Sequence, residues 1–458
     1  MKNIIKIILF AGALATFTAC HVVKPYQKPL LDNAQLFRDY NSTDTNSIAK
    51  LHWNEVFTDT ILQKLISEGI RRNIDLQKAY SVTRQAQAYF DQSKLAYYPD
   101  INAAADLTVS GSSNPQAFNT TNNRIYSVGL TASWEADIWG KLKSAKKAQL
   151  ALLLQSSANA RAVQTALIAN IANNYYNLMA LDQQLLITEE SVTNWQITVN
   201  TMKDLKTADI VTGAAVVQSE ASKYAVQVTI PDLKQAIWQT ENIINLLLGR
   251  EAGPVMRAKI DAQKSIAMLN PGIPAQMLAN RPDVMAAEYS FRNAYELTNV
   301  ARTYFYPSIT LSGSGGYSSY VSFFGVGSLI GSLTAGITQP IFNKGVNKAR
   351  LIVAREQQQQ ALLNFQYTVL SAGQDVSNAL MSFQTAGEKA ATRVSQLDNL
   401  EKSVDYTQQL VRYGSANYTE VLTAQQNLLI ARLNSVNDRL QQLQAIVYLY
   451  RSLGGGWQ

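Results

Sequence analysis

The chain has 458 residues with a formal net charge of +7, charged side chains at only 16% and apolar ones at 47%, and it holds two histidines and a single cysteine. Because His21 and His52 both lie near the N-terminus, a His-based catalytic triad or zinc site has no material, and no glycine-rich loop precedes a Lys-Ser or Lys-Thr pair to cradle a nucleotide. The positive charge is spread among abundant Gln, Asn, Ser and Thr with no basic cluster interleaved with aromatics, which speaks against nucleic acid as a partner, and one cysteine forbids a disulfide within the chain.

Residues 1–19 carry Lys2 and Lys6, an apolar run from Ile7 to Phe17, and Thr18-Ala19 before Cys20. That run is too short to cross about 30 Å of hydrocarbon, so it reads as a cleaved signal peptide. A small residue followed by cysteine at the end of such a run looks like a bacterial lipobox, in which the Cys20 thiol is acylated and becomes the mature N-terminus; the alternative is a chance cysteine in an ordinary signal. Phe17 stands where a lipobox usually has Leu, and His21 replaces the Asp that favours inner-membrane retention, which directs the chain to the outer membrane. Residues 20–50 bear proline and asparagine without periodicity and read as an extended tether.

Residues 51–258 form a first repeat. A helical pattern from Phe57 to about Tyr97 puts Leu62, Leu65, Ile66 and Ile70 on one face, breaks at Asn73 and stops at Pro99. Strict alternation follows over 101–137, with Ile101, Ala103, Ala105, Leu107 and Val109 on one face, then Tyr126, Val128, Leu130, Ala132 and Trp134. A helical hairpin is expected over 141–249. Its first arm, about Lys141 to Leu205, has no proline or glycine and a heptad of Ile171, Leu178, Leu185, Val192 and Val199 with Leu181, Trp195 and Met202. Its return arm is expected as one helix from about Ala214 to Leu248.

Residues 259–458 repeat the unit. Leu248-Gly249 recurs as Leu453-Gly454, Val216 to Glu220 as Val421 to Gln425, and Gly140 as Gly345, all at an offset of 205, while Tyr98-Pro99 recurs as Tyr306-Pro307 at 208. The second strand pair falls at 308–340, where Ile309, Leu311 and Gly313 and then Leu333, Ala335 and Ile337 share a face. The second hairpin falls at 345–454, with Val376, Phe383, Leu397 and Val404 along one heptad position, Leu400 at the other, and Gly373 and Gly387 as interior weak points. Before it, Arg281-Pro282-Asp283 reads as a helix start, proline in the first turn and aspartate against the helix dipole.

Each of the four strands is expected to run about 10 residues, long enough to cross a bilayer at a tilt. Alternation would equally serve a soluble sandwich. Aromatics gathered at the strand ends (Tyr97, Tyr98, Trp134, Trp139, Tyr304, Phe305, Tyr306) match interfacial girdles. Beyond residue 20 no apolar run reaches about 20 residues, so a membrane crossing would have to use strands. Four strands do not close a barrel, since the smallest membrane barrels have about eight, so strands would be pooled between subunits; three copies give twelve.

The segment Arg281-Pro282-Asp283-Val284 with Ala286-Ala287-Glu288, then Phe305-Tyr306-Pro307-Ser308-Ile309, and the terminal Leu453-Gly454-Gly455-Gly456-Trp457 resemble the TolC-like outer-membrane efflux proteins, in the lipoprotein branch of RND-type tripartite systems. The resemblance spans nearly the whole mature chain. It implies a mainly α fold with a small β part: a homotrimer with a twelve-stranded transmembrane β-barrel continued by a twelve-helix α-barrel, docked to a periplasmic adaptor and an inner-membrane RND-type transporter, with no enzymatic role, cofactor or metal. It also implies a periplasmic aperture at the hairpin tips. Glu420 matches one acidic family position there, Thr423 replaces the other, and Ala416 stands where some members have a basic residue. Tyr413 and Gly414 belong to the second tip, and Asp209 stands in the first where Gly414 stands in the second. Three Glu420 carboxylates about an axis would favour cations; the alternative is a solvated carboxylate at a helix start. The competing function is a lipid-anchored structural coiled-coil protein of the envelope. A diffusion porin is disfavoured, because porins spend their chain on strands.

Overall fold

The computed structural model describes residues 22–29, 36, 48, 51–114, 119–263, 278–413 and 417–457. The expected signal peptide, Cys20, Gly414 and Ala416 lie outside the described residues, as does most of the expected tether. The first repeat comprises α1 (Trp53–Val56), α2 (Thr60–Arg72), α3 (Ile74–Leu95), β1 (Asp100–Asn114), β2 (Asn119–Glu135), α4 (Lys141–Thr207), α5 (Gly213–Gln227) and α6 (Thr229–Leu247). The second comprises α7 (Pro282–Thr303), β3 (Ser308–Ser319), β4 (Gly327–Thr338), α8 (Val346–Arg412) and α9 (Tyr418–Ser452). Two compact units cut across the repeats: one takes Val82–Ser157 and Ala286–Gln366, the other Ala158–Met285 and Tyr367–Gln458 with the described part of Leu31–Ser81.

In the first unit the strands form one antiparallel sheet in the order β1-β2-β3-β4. The register pairs Ile101 with Ala132, Val128 with Tyr317 and Ile309 with Ile337. The apolar face faces solvent in the single chain, with Ile101 66%, Leu130 57%, Leu333 78% and Ile337 72% exposed. A soluble sandwich would have covered that face. The strands are longer than the expected ten residues, at 15, 17, 12 and 12, because the backbone ladder continues past the alternating segment, pairing Asn114 with Asn119. At the helix-proximal end the expected aromatics do gather. The Trp134 indole donates to the Tyr97 carbonyl at 2.8 Å, and Trp139 packs on Tyr306 at 5.0 Å between centroids.

In the second unit the interior is built from Phe57, Leu62, Ile66, Leu76, Ile168, Ile171, Tyr175, Leu178, Met179, Ile244 and Leu248, all below 2% exposure. Of the first heptad, Ile171, Leu178, Val199, Trp195 and Met202 are buried, and Leu185 and Val192 half-buried. α4 and α8 each run 67 residues, roughly 100 Å of helix. No helix among the described residues is long and apolar enough to cross a membrane.

The expected return helix of the first hairpin is instead split at Val228. Pro231 is the cause. It lacks the amide hydrogen that the Gln227 carbonyl needs, and its ring crowds that carbonyl. The counterpart at offset 205 is Val436, and α9 runs unbroken for 35 residues. At Gly373 of α8 a Cβ would sit 2.6 Å from the Leu36 carbonyl oxygen, so glycine admits that close approach.

The duplication recurs at the corners between helices. Asn73, which ends α2 as expected, caps the next helix through Leu76 N at 2.9 Å and donates from Nδ2 to the Leu247 carbonyl at 2.9 Å. Arg281, at offset 208, donates from Nη1 to the Ser452 carbonyl at 2.9 Å, and Ser452 is Leu247 at offset 205. Gly249 and Gly454 both adopt positive φ, +65° and +86°, after their helices. Added Cβ atoms would approach the Arg72 oxygen at 2.8 Å and the Asn280 oxygen at 2.7 Å, again corresponding positions. Each repeat thus seats the end of its return helix on its own inter-helix corner.

Candidate functional site

Of the expected aperture residues, Asp209, Tyr413, Glu420 and Thr423 are described and sit at the two hairpin tips, which lie together in the second unit. Met202, Ala215 and Val216 of the first hairpin and Val411 and Val421 of the second form one buried apolar cluster, flanked by Leu205, Val211 and Tyr418. Val216 and Val421 correspond at offset 205, so each hairpin contributes the same residue to the shared contact.

At the first tip α4 ends with paired bonds, Asp209 N to Lys206 O at 3.0 Å and Ile210 N to Leu205 O at 2.9 Å. Asp209 takes φ +57°, the left-handed position that such an ending reserves for glycine. Gly414 is its counterpart. The substitution of aspartate for glycine therefore puts a carboxylate at the turn, exposed and without an ion-pair partner among the described residues. The helix after this turn starts at Thr212, which makes no side-chain cap. Just beyond, Lys203 and Glu220 pair at 2.8 Å, and that bond holds the Glu220 carboxyl below its ordinary range.

At the second tip Asn417 caps α9, its side chain accepting from Thr419 N at 3.1 Å. Glu420 falls in the first turn, where a carboxylate complements the helix dipole. It is exposed and has no ion-pair partner among the described residues. Thr423, one turn on and on the same side of the helix, is exposed too, and Tyr413 is 83% exposed. Both tips thus present carboxylates to solvent around an apolar contact.

The signature Arg281-Pro282-Asp283 does more than begin α7. Arg281 is 8% exposed, pairs with Asp283 at 2.6 Å and with Asp375 of α8 at 3.0 Å, and spends another nitrogen on the end of α9. Burial pushes the Asp283 carboxyl up, but the guanidinium more than offsets this and holds it below its usual range. Trp457 closes the same corner, donating to the Asn280 carbonyl at 2.9 Å, with Arg161 stacked over its ring at 4.4 Å. Sequence reasoning stopped at the helix start and missed this buried ionic hub. The missed signal was the alignment of Arg281 with Asn73 at offset 208.

Comparison with known proteins agrees with this geometry. The family model for outer membrane efflux proteins matches residues 65–250 and again 273–455, one match in each repeat. The cation efflux system protein CusC of Escherichia coli O6:H1 is 30% identical over 465 residues, covering 99% of both chains. The probable outer membrane lipoprotein SilC of Salmonella typhimurium is 28% identical over 461 residues, covering 98% of both. A crystal structure of CusC, studied for its folding and transmembrane channel formation, superposes with a TM-score of 0.85 at 27% identity, covering 95% of this chain and 99% of that one. The chain belongs to the outer membrane efflux protein family. It is therefore the outer-membrane channel component of an efflux system, working with pump partners, and not an enzyme or a purely structural coiled coil.

Proposed function

We propose that three copies assemble into a passive exit duct, a twelve-stranded barrel in the outer membrane continued by twelve paired helices into the periplasm, which receives substrate from an inner-membrane RND-type transporter through a periplasmic adaptor. The observation that supports this is the sheet itself. Its order leaves one edge of β1 and one edge of β4 without a partner strand among the described residues, and its apolar face is exposed. In hydrocarbon every unpaired backbone group costs several kcal/mol, about enough to forbid an open edge. The signal peptide (1–19) and Cys20 deliver and anchor the chain by acylation, with 20–50 as tether and the two repeats at 51–258 and 259–458 as the body. Glu420, with Asp209 and the neighbouring Tyr413, Gly414 and Thr423, borders the periplasmic aperture and gives it a negative potential. Native mass spectrometry in mild detergent tests the assembly: three acylated chains are expected, and a monomer that retains β-sheet circular dichroism would contradict it.

A further inference from the structure

The exact duplication fixes more than the number of subunits. The hairpin registers set β1 onto β3 at offset 208 and β2 onto β4 at 205, because Asp100 pairs with Ser133 and Ser308 with Thr338. Side chains obey the same offsets: Trp134 Nε1 reaches the Tyr97 carbonyl at 2.8 Å, and Gln339 Nε2 reaches the Phe305 carbonyl at 3.2 Å.

Within one chain the first repeat is joined to the second by β2 and β3. Ser133 pairs with Ser312, and the ladder extends to Ala136 N donating to Ile309 O at 3.0 Å. Beyond the strand, Trp139 lies against Tyr306 and donates to the Pro307 carbonyl at 2.6 Å. Further on, Ala148 of α4 is 1% exposed and its carbonyl accepts from Asn293 of α7 at 2.8 Å. The matching features of the second repeat are bare. Ile341 and Phe342 follow β4 at 99% and 85% exposure, and Val353, the counterpart of Ala148, is 53% exposed. The matching corner of the first repeat, at Tyr98, is 69% exposed. What is closed once inside the chain is left open at its two ends, with apolar Ile341 and Phe342 at one and Tyr98-Pro99 at the other.

We infer that a second copy of this chain completes the joint with the in-chain register. Translating β2–β3 by the two offsets pairs β4 with β1 of the partner subunit: Thr338 opposite Ala104 of the partner subunit, Ile337 opposite Ala105 of the partner subunit, and Leu333 opposite Val109 of the partner subunit. Ile341 N then donates to the carbonyl of Ile101 of the partner subunit, and Ile341 and Phe342 cover the corner at Tyr98 of the partner subunit. The register has an independent check. Leu333, Ala335 and Ile337 of β4 meet the partner's Val109, the partner's Leu107 and the partner's Ala105 on the apolar face of β1, whereas a slip of one residue would set Leu333 and Ile337 against its polar face.

The inference rests on the trimeric reading above, and cysteine cross-linking separates the two. Directly opposed residues stand within disulfide reach, while neighbours two residues along are about 7–8 Å apart. The double variant Thr338→Cys with Ala104→Cys, oxidised in the folded protein, is expected to give a reductant-sensitive ladder ending at three chains. Thr338→Cys paired with Asn102→Cys or Asp106→Cys should give about tenfold less. Ser133→Cys with Ser312→Cys, the same pair inside the chain, reports correct folding and oxidation by a bond that adds no mass step. If an off-register pair links instead, or if none links while native mass spectrometry of the same variants shows trimers, the seam is wrong and the trimer stands. If the variants fold but no trimer is seen, the assembly reading falls and the seam with it.

Discussion

Arg281 links Asp283, Asp375 and the Ser452 carbonyl from a buried position, so removing it leaves the two carboxylates without their shared cation and the Ser452 carbonyl without this donor. Arg281→Ala is expected to cost about 3 kcal/mol, the low end for breaking a buried ion pair because Asp283 remains partly in water. Asn73→Ala, which loses neutral hydrogen bonds at the corresponding corner, should cost about 1–2 kcal/mol. The sign of the pH dependence follows from Asp283. Its folded pKa lies below the ordinary value, so its ionised form stabilises the fold above the usual carboxylate range and that contribution is lost as pH falls through the lowered pKa. Thermal melts should show the penalty of Arg281→Ala at pH 7 shrinking below about pH 4. An equal penalty at both values would remove the ion pair from the account. At the tips, Asp209→Gly should raise the melting temperature, since the left-handed backbone costs a side chain about 1 kcal/mol. Glu420→Gln should lower cation selectivity measured as a reversal potential across a planar bilayer, while Thr423→Val changes it little. Unchanged selectivity with a weaker trimer would reduce Glu420 to a helix-start carboxylate.

The long helices and the alternating strands were legible because periodicity acts over many residues and averages out local exceptions. The hidden parts depend on single residues. Pro231 splits the first return helix while Val436 leaves the second whole, and amide exchange should be faster around Gln227 to Ile230 than around Arg432 to Ser435. Val436→Pro should import the break into α9 at a cost of about 3 kcal/mol, seen as a loss of thermal stability; an unchanged melt would mean that the helix tolerates a kink there. Strand ends were misjudged because Ser and Asn continue a ladder as well as Val does when only the backbone pairs. The site was half legible. Glu420 and Thr423 were assigned to the tips by the family resemblance and Asp209 by its alignment with Gly414, but the apolar contact of Met202, Val216, Val411 and Val421 joins segments too far apart in sequence for periodicity to connect.

At the scale of the whole molecule, the duplication explains why one chain looks unfinished. Its first junction is closed and its second is open among the described residues, and in the proposed assembly a copy of the chain completes the open junction while lipid covers the exposed apolar strand face. The completed assembly is proposed to be a passive, water-filled duct whose periplasmic end is narrow and negative. Single-channel recording of the purified acylated protein in a planar bilayer tests it most directly. The account predicts discrete, low-conductance, cation-selective steps that need no added nucleotide. Preparations shown to be trimeric that insert and give no conductance steps, or that give wide steps without preference for cations, would contradict it.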